Sequence, residues 1–577
     1  MRNKIILLLA AVWVGISVCG AQSLDQKGRR WVDSVLSSMT PDERLGQLYM
    51  VDLSSKWTPE DASFQLIEKY IDSCHIGGVI FFYGGPMRQA VLHNRLQARS
   101  KVPLMVGIDG EWGLTMRLDS VPSFPRNLTL GAVSDNGLIL DLGREMGREC
   151  RRMGINIDFM PCVDMYSNLA NPVIAYRSFG SNKLNVAYKG CSIMQGMQNM
   201  GVLTTAKHFP GHGNTETDSH EALPILRDSY ITMDTLDMFP FKYLIKRGVQ
   251  GVMVGHLLVP SIVGASDKTP ASISPKVIKG VLRDSLKFDG LVFTDALQMK
   301  GVSKDYETGD LELRAFNAGV DVLLMPSDCL KSFNYMVEAR DKGLISQKDI
   351  DAKCRKILEA KYRMGLSVSK YVKTDNLIKE LNTKRAANLY RTLLEKATTL
   401  IKNDGNILPI RDLADKRIAV LTINKEGYGN EFESTFCKFT NNVEIFRIKK
   451  TAKEAEFQKL MTDISADFDL VVVGLQEISS FPRKFGMNDV LIKFLDDLMA
   501  SRNVVLDIFS SPVGLTRFSN LQKAKAIVVS YEDSEMSREV SALLILGSLP
   551  FEGRLPVTIG PDFREGKGFA TKALRMK

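Results

Sequence analysis

Between Gly46 and Pro326 the sequence repeats one pattern: a short, almost unbroken apolar run, a polar or glycine-rich end, then a stretch with apolar residues at helical spacing. The runs are Gly46–Leu53, Gly77–Phe82, Pro103–Gly110, Asn156–Met165, Leu203–Gly211, Gly251–Leu257, Gly290–Asp295 and Asp321–Pro326. Such continuity marks strands buried on both faces, because a strand with one wet face alternates instead. Leu138–Met153 and Lys276–Leu286 supply amphipathic helices between them. Eight strand–helix units over about 320 residues predict a (β/α)8 TIM-like barrel with long loops, with a doubly wound open sheet as the alternative.

Ile350 to about Lys396 reads as mostly helix, rich in Lys, Arg, Ala and Leu. A second alternation follows in the runs Arg417–Asn424, Val443–Ile448, Phe468–Gln476, Asn503–Ser510, Ala524–Tyr531 and Arg554–Ile559. These predict a smaller three-layer α/β sandwich domain, without a Walker loop or a GxGxxG turn opening a helix. The expected order is a leader at 1–21, the barrel at 22–370, a helical connecting arm at 371–396 and the sandwich domain at 397–577.

Composition narrows the function classes. The 577 residues are 45% hydrophobic and 24% charged, which excludes wholesale disorder and fibrous folds. The formal charge of +9 comes from 75 basic residues dispersed among 66 acidic ones, with no basic block interleaved with aromatics. Nucleic acid is therefore not an expected partner. At the start, Arg2 and Lys4 precede an apolar run from Ile5 to Val18 and the small residues Cys19-Gly20-Ala21. That is the layout of a secretory signal peptide. Cleavage near Ala21 gives an exported, periplasmic chain without an integral membrane span, of charge +9 − 2 = +7 after loss of Arg2 and Lys4. A lipid anchor at Cys19 fits less well, because Val18 is bulky where a lipoprotein box has a small residue. The seven remaining cysteines show no CxxC pair or zinc-like spacing, so buried free thiols are expected rather than a disulfide framework.

The candidate chemistry lies where the predicted strands end, which is where barrels of this type gather their active sites. Asp109, Asp164, Lys207-His208, His256 and Asp295 each stand at such an end. One of these alone reads equally well as a helix N-cap; five in succession do not. The densest segment, Lys207 to His220, holds three of the six histidines. His208 and His212 are four apart, as two metal ligands on one helix face would be, but Pro210, Gly211 and Gly213 break that helix. No third ligand has metal-site spacing, so neither a metal nor a cofactor is expected. Asp218 and His220 are two apart, and in an extended loop a carboxylate and an imidazole so placed can hydrogen-bond. A Ser-His-Asp hydrolase is a rival use of that pair, but there is no GxSxG elbow, and Ser219 lies between the two partners. An imidazole near ~6.5 can give a proton and take it back at neutral pH. Asp295, after Phe293-Thr294, would then be a carboxylate nucleophile on a rigid strand end. One such nucleophile and one acid/base group are what retaining glycoside hydrolysis requires.

Lys207 to His220 resembles the KHFPGHG-(N/D)-T-x-x-D-S-H signature of the β-N-acetylglucosaminidase branch of family 3 glycoside hydrolases. Gly107-Ile108-Asp109 with Arg117, Tyr176 to Gly180, and Phe288 to Asp295 match further family motifs in the same order. The resemblance implies Asp295 as nucleophile, His220 as acid/base and Asp218 as its orienting partner. It also implies that Asp109, Arg117, Arg177, Lys207 and His208 bind the N-acetylglucosamine ring. Where the branch has Gly-Gly-Arg, this chain has Trp112-Gly113-Leu114. The implied enzyme is an exo-acting retaining β-N-acetylglucosaminidase acting on an oligosaccharide derived from peptidoglycan or of chitin type. The alternatives are a β-N-acetylglucosaminide phosphorylase and, in another class, a non-catalytic cell-wall sugar-binding protein.

Overall fold

The computed structural model describes residues 24–219, 221–481 and 484–574. The leader at 1–21 and His220 lie outside the described residues. All eight expected strands form: β1 Tyr49–Ser55, β2 Gly78–Gly84, β3 Met105–Ile108, β4 Ile157–Asp158, β5 Leu203–Phe209, β6 Gly251–Val254, β7 Leu291–Thr294 and β8 Leu323–Leu324. They pair in parallel in the order β7-β6-β5-β4-β3-β2-β1-β8. The Phe293–Val322 bridge then links β7 to the approach of β8, so the sheet curls into a nearly closed barrel rather than the open alternative. The first strand begins later than its apolar run. Thr40 and Glu43 form a capping box that makes Pro41–Gly46 a helix before the chain extends at Tyr49.

The outer helices follow the predicted pattern, with Leu138–Met153 falling in the helix Asn136–Arg152. This helix lies against Lys183–Asn199 at glycine contacts: a Cβ on Gly143 would stand 2.5 Å from the Ile193 carbonyl oxygen. Lys276–Ser285 is helical as expected but wound as a π-helix.

The second domain is a three-layer sandwich on six strands: β9 Thr399–Asn403, β10 Ile418–Asn424, β11 Val443–Lys449, β12 Leu470–Leu475, β13 Val504–Ile508 and β14 Ala526–Val529. Their order is β11-β10-β12-β13-β14-β9, with β9 antiparallel to β14. On β10, Ile418 and Val420 pack with Phe432 and Leu544, whereas Ala419 and Leu421 join the apolar cluster that runs into the barrel. One expected strand is misplaced. Arg554–Ile559 forms none; it lies along the barrel domain, where the Arg554 N–H reaches the Ala132 carbonyl and the Pro556 carbonyl accepts from the Ser181 N–H. Thr399–Asn403 takes the sheet edge in its place.

The connecting region is helical at Leu377–Leu381 and Lys384–Ala397, after a non-helical stretch behind Gln347–Arg363. Among the described residues no helix is long and apolar enough to cross a membrane. Of the seven described cysteines six are buried and Cys437 is exposed, and all are free.

Barrel closure rests on Asp321, whose Oδ2 accepts from Arg283 (2.7 Å), Lys356 (3.0 Å) and the Val292 N–H (2.9 Å). Burial alone would raise its carboxyl, but Lys356, Lys353 and Arg283 outweigh that and hold it below the usual range. Asp321→Asn should lower barrel stability by about 3 kcal/mol, because two cations lose their anion. A depressed folded-state pKa stabilises above the unfolded value of about 3.9 and is lost as pH falls through the folded one. The gap between variant and parent melting temperatures should therefore narrow below about pH 4.

Candidate active site

At the C-terminal end of the barrel a cavity of about 470 Å³ is lined by Asp109, Arg117, Arg177, Lys207, His208, Asp218 and Asp295 among others. Every described residue given a catalytic or ring-binding role therefore meets in one place, although they are spread over nearly 190 positions, from Asp109 to Asp295.

The floor is an ion network. Lys207, in β5 and 2% exposed, donates to Asp109 and Glu111, each at 2.9 Å. Asp109 also accepts from Arg117 at 2.8 Å, and Glu111 from Arg177 at 2.6 and 3.0 Å. Burial alone would raise the Asp109 carboxyl, but the Lys207 and Arg117 cations hold it at about 2. Glu111 is likewise pulled well below the carboxylate range by Arg177 and Lys207 against its burial. Burial would strip Lys207 of its proton, yet the same two carboxylates keep it charged. Glu111 is the residue that sequence reasoning passed over; its position two after Asp109 was the available signal, since alternate residues of an extended segment face one way.

His208 is held by Asp164. The imidazole Nδ1 lies 2.7 Å from an Asp164 oxygen, and the backbone N–H groups of His208 and His212 donate to the same carboxylate at 3.2 and 2.7 Å. The Cys162 thiol donates to it as well, at 3.2 Å. These three side chains place potential metal-ligand atoms within 4.8 Å of one another, but the Asp164 carboxylate already accepts from all of these donors. Burial would raise Asp164; the His208 imidazole and these donors hold it at about 2.

His212 is an anchor rather than one half of a ligand pair. Its Nδ1 meets the Thr215 hydroxyl at 2.8 Å and its Nε2 the Ser219 hydroxyl at 3.2 Å. Burial and the neighbouring His208 imidazole push it down to about 4, so it is neutral at pH 7. Asn171 donates to the His212 and Gly213 carbonyls and to Thr215, and a Cβ on Gly213 would lie 1.6 Å from the Met165 carbonyl oxygen. The loop that carries Asp218 to the cavity is therefore pinned along its first half.

Asp295 follows β7 directly, half-buried, with its own backbone N–H on the Val254 carbonyl and its carboxylate accepting the Ala296 N–H at 2.8 Å. Burial would raise it, but the His208 and His256 imidazoles and that N–H keep it below the usual range. His256 in turn contacts the Ser272 hydroxyl at 2.7 Å and the Ala296 carbonyl at 2.9 Å. Asp295 lines the cavity beside this floor with its carboxylate kept ionised, as a nucleophile needs.

The chain matches the sequence family described as glycosyl hydrolase family 3 N terminal domain over residues 40–360, and the family's C-terminal domain over 398–571. It is 25% identical to a β-N-acetylglucosaminidase/β-glucosidase of Cellulomonas fimi, over 93% of this chain and 96% of that one. Among solved structures, a glycoside hydrolase family 3 β-N-acetylglucosaminidase from Paenibacillus sp. str. FPU-7 aligns with a TM-score of 0.75 at 29% identity, covering 90% of this chain and 99% of that chain. A β-glucoside phosphorylase aligns with a TM-score of 0.78 at 21% identity, covering 93% and 97%, which is a likeness of fold.

The network makes its own prediction. Glu111→Gln should lower the melting temperature at pH 7, because Arg177 loses the carboxylate it meets at 2.6 Å and Lys207 keeps one of its two. The folded-state pKa of Glu111 is depressed, so its contribution is present above the unfolded value of about 4.5 and fades as pH falls. Melting curves from pH 7 to pH 3 should converge for parent and variant; a constant gap contradicts the assignment.

Proposed function

Since the chain belongs to glycosyl hydrolase family 3, we propose that it is an exported, exo-acting, retaining β-N-acetylglucosaminidase. The substrates are oligosaccharides derived from peptidoglycan or of chitin type. The observation that carries this reading is Asp295, which shares one cavity with Lys207, His208, Arg177 and Asp109. The relatives named β-N-acetylglucosaminidase, which align over most of both chains, support the choice of sugar. The apolar leader with its basic start supports export to the periplasm.

In this reading the charged floor grips the terminal ring. Carboxylates accept from sugar hydroxyls, and Lys207, Arg117 and Arg177 donate to them through charge-assisted hydrogen bonds. Asp295 attacks the anomeric carbon. The bond to the leaving oxygen breaks, that oxygen takes the proton of His220, and a glycosyl–aspartate ester forms. His220, now neutral, removes a proton from water, and the resulting hydroxide displaces Asp295 and regenerates both groups. Asp218 orients the imidazole and favours its protonated form. The pinned first half of its loop, through His212 and Asn171, supports this positioning role. An imidazole, unlike a second carboxylate, would not repel phosphate as acceptor, so the phosphorylase alternative is put to the test directly.

Turnover of an aryl N-acetyl-β-glucosaminide should be independent of inorganic phosphate and release free N-acetylglucosamine. Sugar 1-phosphate as the main product would assign phosphorolysis instead, and no turnover in either condition would support the binding-protein alternative. Asp295→Ala should reduce turnover to background while the fold survives. Arg177→Ala and Lys207→Ala should each cost about 1.5–3 kcal/mol in kcat/KM per charged hydrogen bond lost. His220→Ala should slow poor leaving groups far more than activated aryl glycosides, with azide restoring the second step. Equal slowing of all leaving groups and no azide effect would move the acid/base role elsewhere.

A further inference from the structure

The second domain reaches the mouth of the cavity at one point and supports the barrel behind it at another. Phe481, in the loop after β12, lines the cavity and is 41% exposed. Its ring meets Tyr176 edge-on with centroids 5.2 Å apart, and Tyr176 meets Trp112 at 6.0 Å. All three line the cavity, so together they form an aromatic wall that is only partly covered by protein.

Behind that wall stands Arg126, which does not line the cavity. Its guanidinium lies 4.9 Å from the Tyr176 ring centre and 5.6 Å from that of Trp112. A planar cation against two ring faces fixes their spacing as well as attracting them. Arg126 is itself held from the second domain. Glu532 accepts from the Arg126 backbone N–H at 2.8 Å and from the Thr129 hydroxyl at 2.6 Å, and its other oxygen meets the guanidinium at 3.4 Å. Glu532 is 8% exposed, and the preceding Tyr531 takes a left-handed φ of 61° with its hydroxyl on Thr399. The carboxylate is thus delivered by a fixed corner of the sandwich domain.

Resting on the glycosidase reading above, we propose that Glu532 is a positioning residue for the leaving-group side of the site. Acting through Arg126, it holds Trp112 and Tyr176 in the wall that Phe481 completes, and this wall receives the apolar face of the second pyranose ring. The charges lie at the floor, where the attacked ring is held, so an exo-acting enzyme leaves the next sugar at the mouth. A β-linked glucosamine ring carries its polar groups around the rim and presents C–H faces above and below. Those faces gain by covering apolar ring surface and removing it from water.

The test compares chitobiose with N-acetyl-β-glucosaminyl fluoride, whose leaving group is a single atom, using the full-length enzyme. Glu532→Ala should lower the ratio of kcat/KM for chitobiose to that for the fluoride by about tenfold, chiefly through KM. Glu532→Gln keeps an acceptor for the Arg126 N–H and the Thr129 hydroxyl and should recover most of that ratio. Should Glu532→Ala fail to fold, Phe481→Ala, at an exposed position, should shift the same ratio in the same direction. Variants that lose both substrates equally, or neither, overturn the proposal while the site assignment stands. A parent enzyme idle on both substrates overturns the site assignment, and this proposal with it.

Discussion

Lys207, buried between Asp109 and Glu111, is the interaction on which the rest of the site depends. Moving an ammonium and two carboxylates out of water costs several kcal/mol per ion, which only close opposed charges can offset. The segment after β3, the end of β5 and the turn that carries Arg177 are therefore held to one geometry, since any separation leaves an unpaired buried charge. The backbone of that segment is fixed too, because the Gly110 N–H donates to Asp158 at 2.8 Å. Burial pushes Asp158 up to about 7, against that N–H, so this carboxyl is only partly ionised at neutral pH.

A second layer turns this fixed floor into a working face. Asp164 gathers the His208 ring and the His208 and His212 backbone N–H groups onto one carboxylate, which ties the end of β5 to the long segment after β4. From there the loop toward Asp218 is shaped by neutral hydrogen bonds from His212 and Asn171 rather than by ions. Rigid charges at the floor and a neutral, hydrogen-bonded loop at the side suit different tasks. On the proposed reading the floor holds a ligand without changing protonation, whereas a proton-transferring loop works best away from fixed cations that would alter its pKa.

The sandwich domain shares in the cavity as well as in the fold. Arg554, Pro556 and Glu565 bind it to the barrel through Ala132, Ser181 and Asn182. Its inner apolar face also continues the barrel's core cluster. Such an interface restrains relative motion of the two domains, so Phe481 keeps its place in the cavity lining and Glu532 its hold on Arg126 behind it.

The architecture and most of the converging residues are legible in the chain's own pattern. Eight continuous apolar runs are what a parallel barrel imposes, because helices cover one face of each strand and the barrel core the other. Their polar ends marked Asp109, Asp164, Lys207, His208 and Asp295 before any contact was known. Partnerships, in contrast, were decided in three dimensions. Glu111 stands two residues after Asp109, but its partners are not local: Arg177 lies 66 positions away and Lys207 comes from another strand. His212 has the spacing of a ligand but becomes an anchor, since its neighbours in space are two hydroxyls. The same limit explains the sixth strand: Arg554–Ile559 and Thr399–Asn403 are both short and apolar, and only docking against the barrel selects which joins the sheet. Periodicity records how each segment meets its own core, whereas a charge or a sheet edge is satisfied by whatever distant group the fold brings to it.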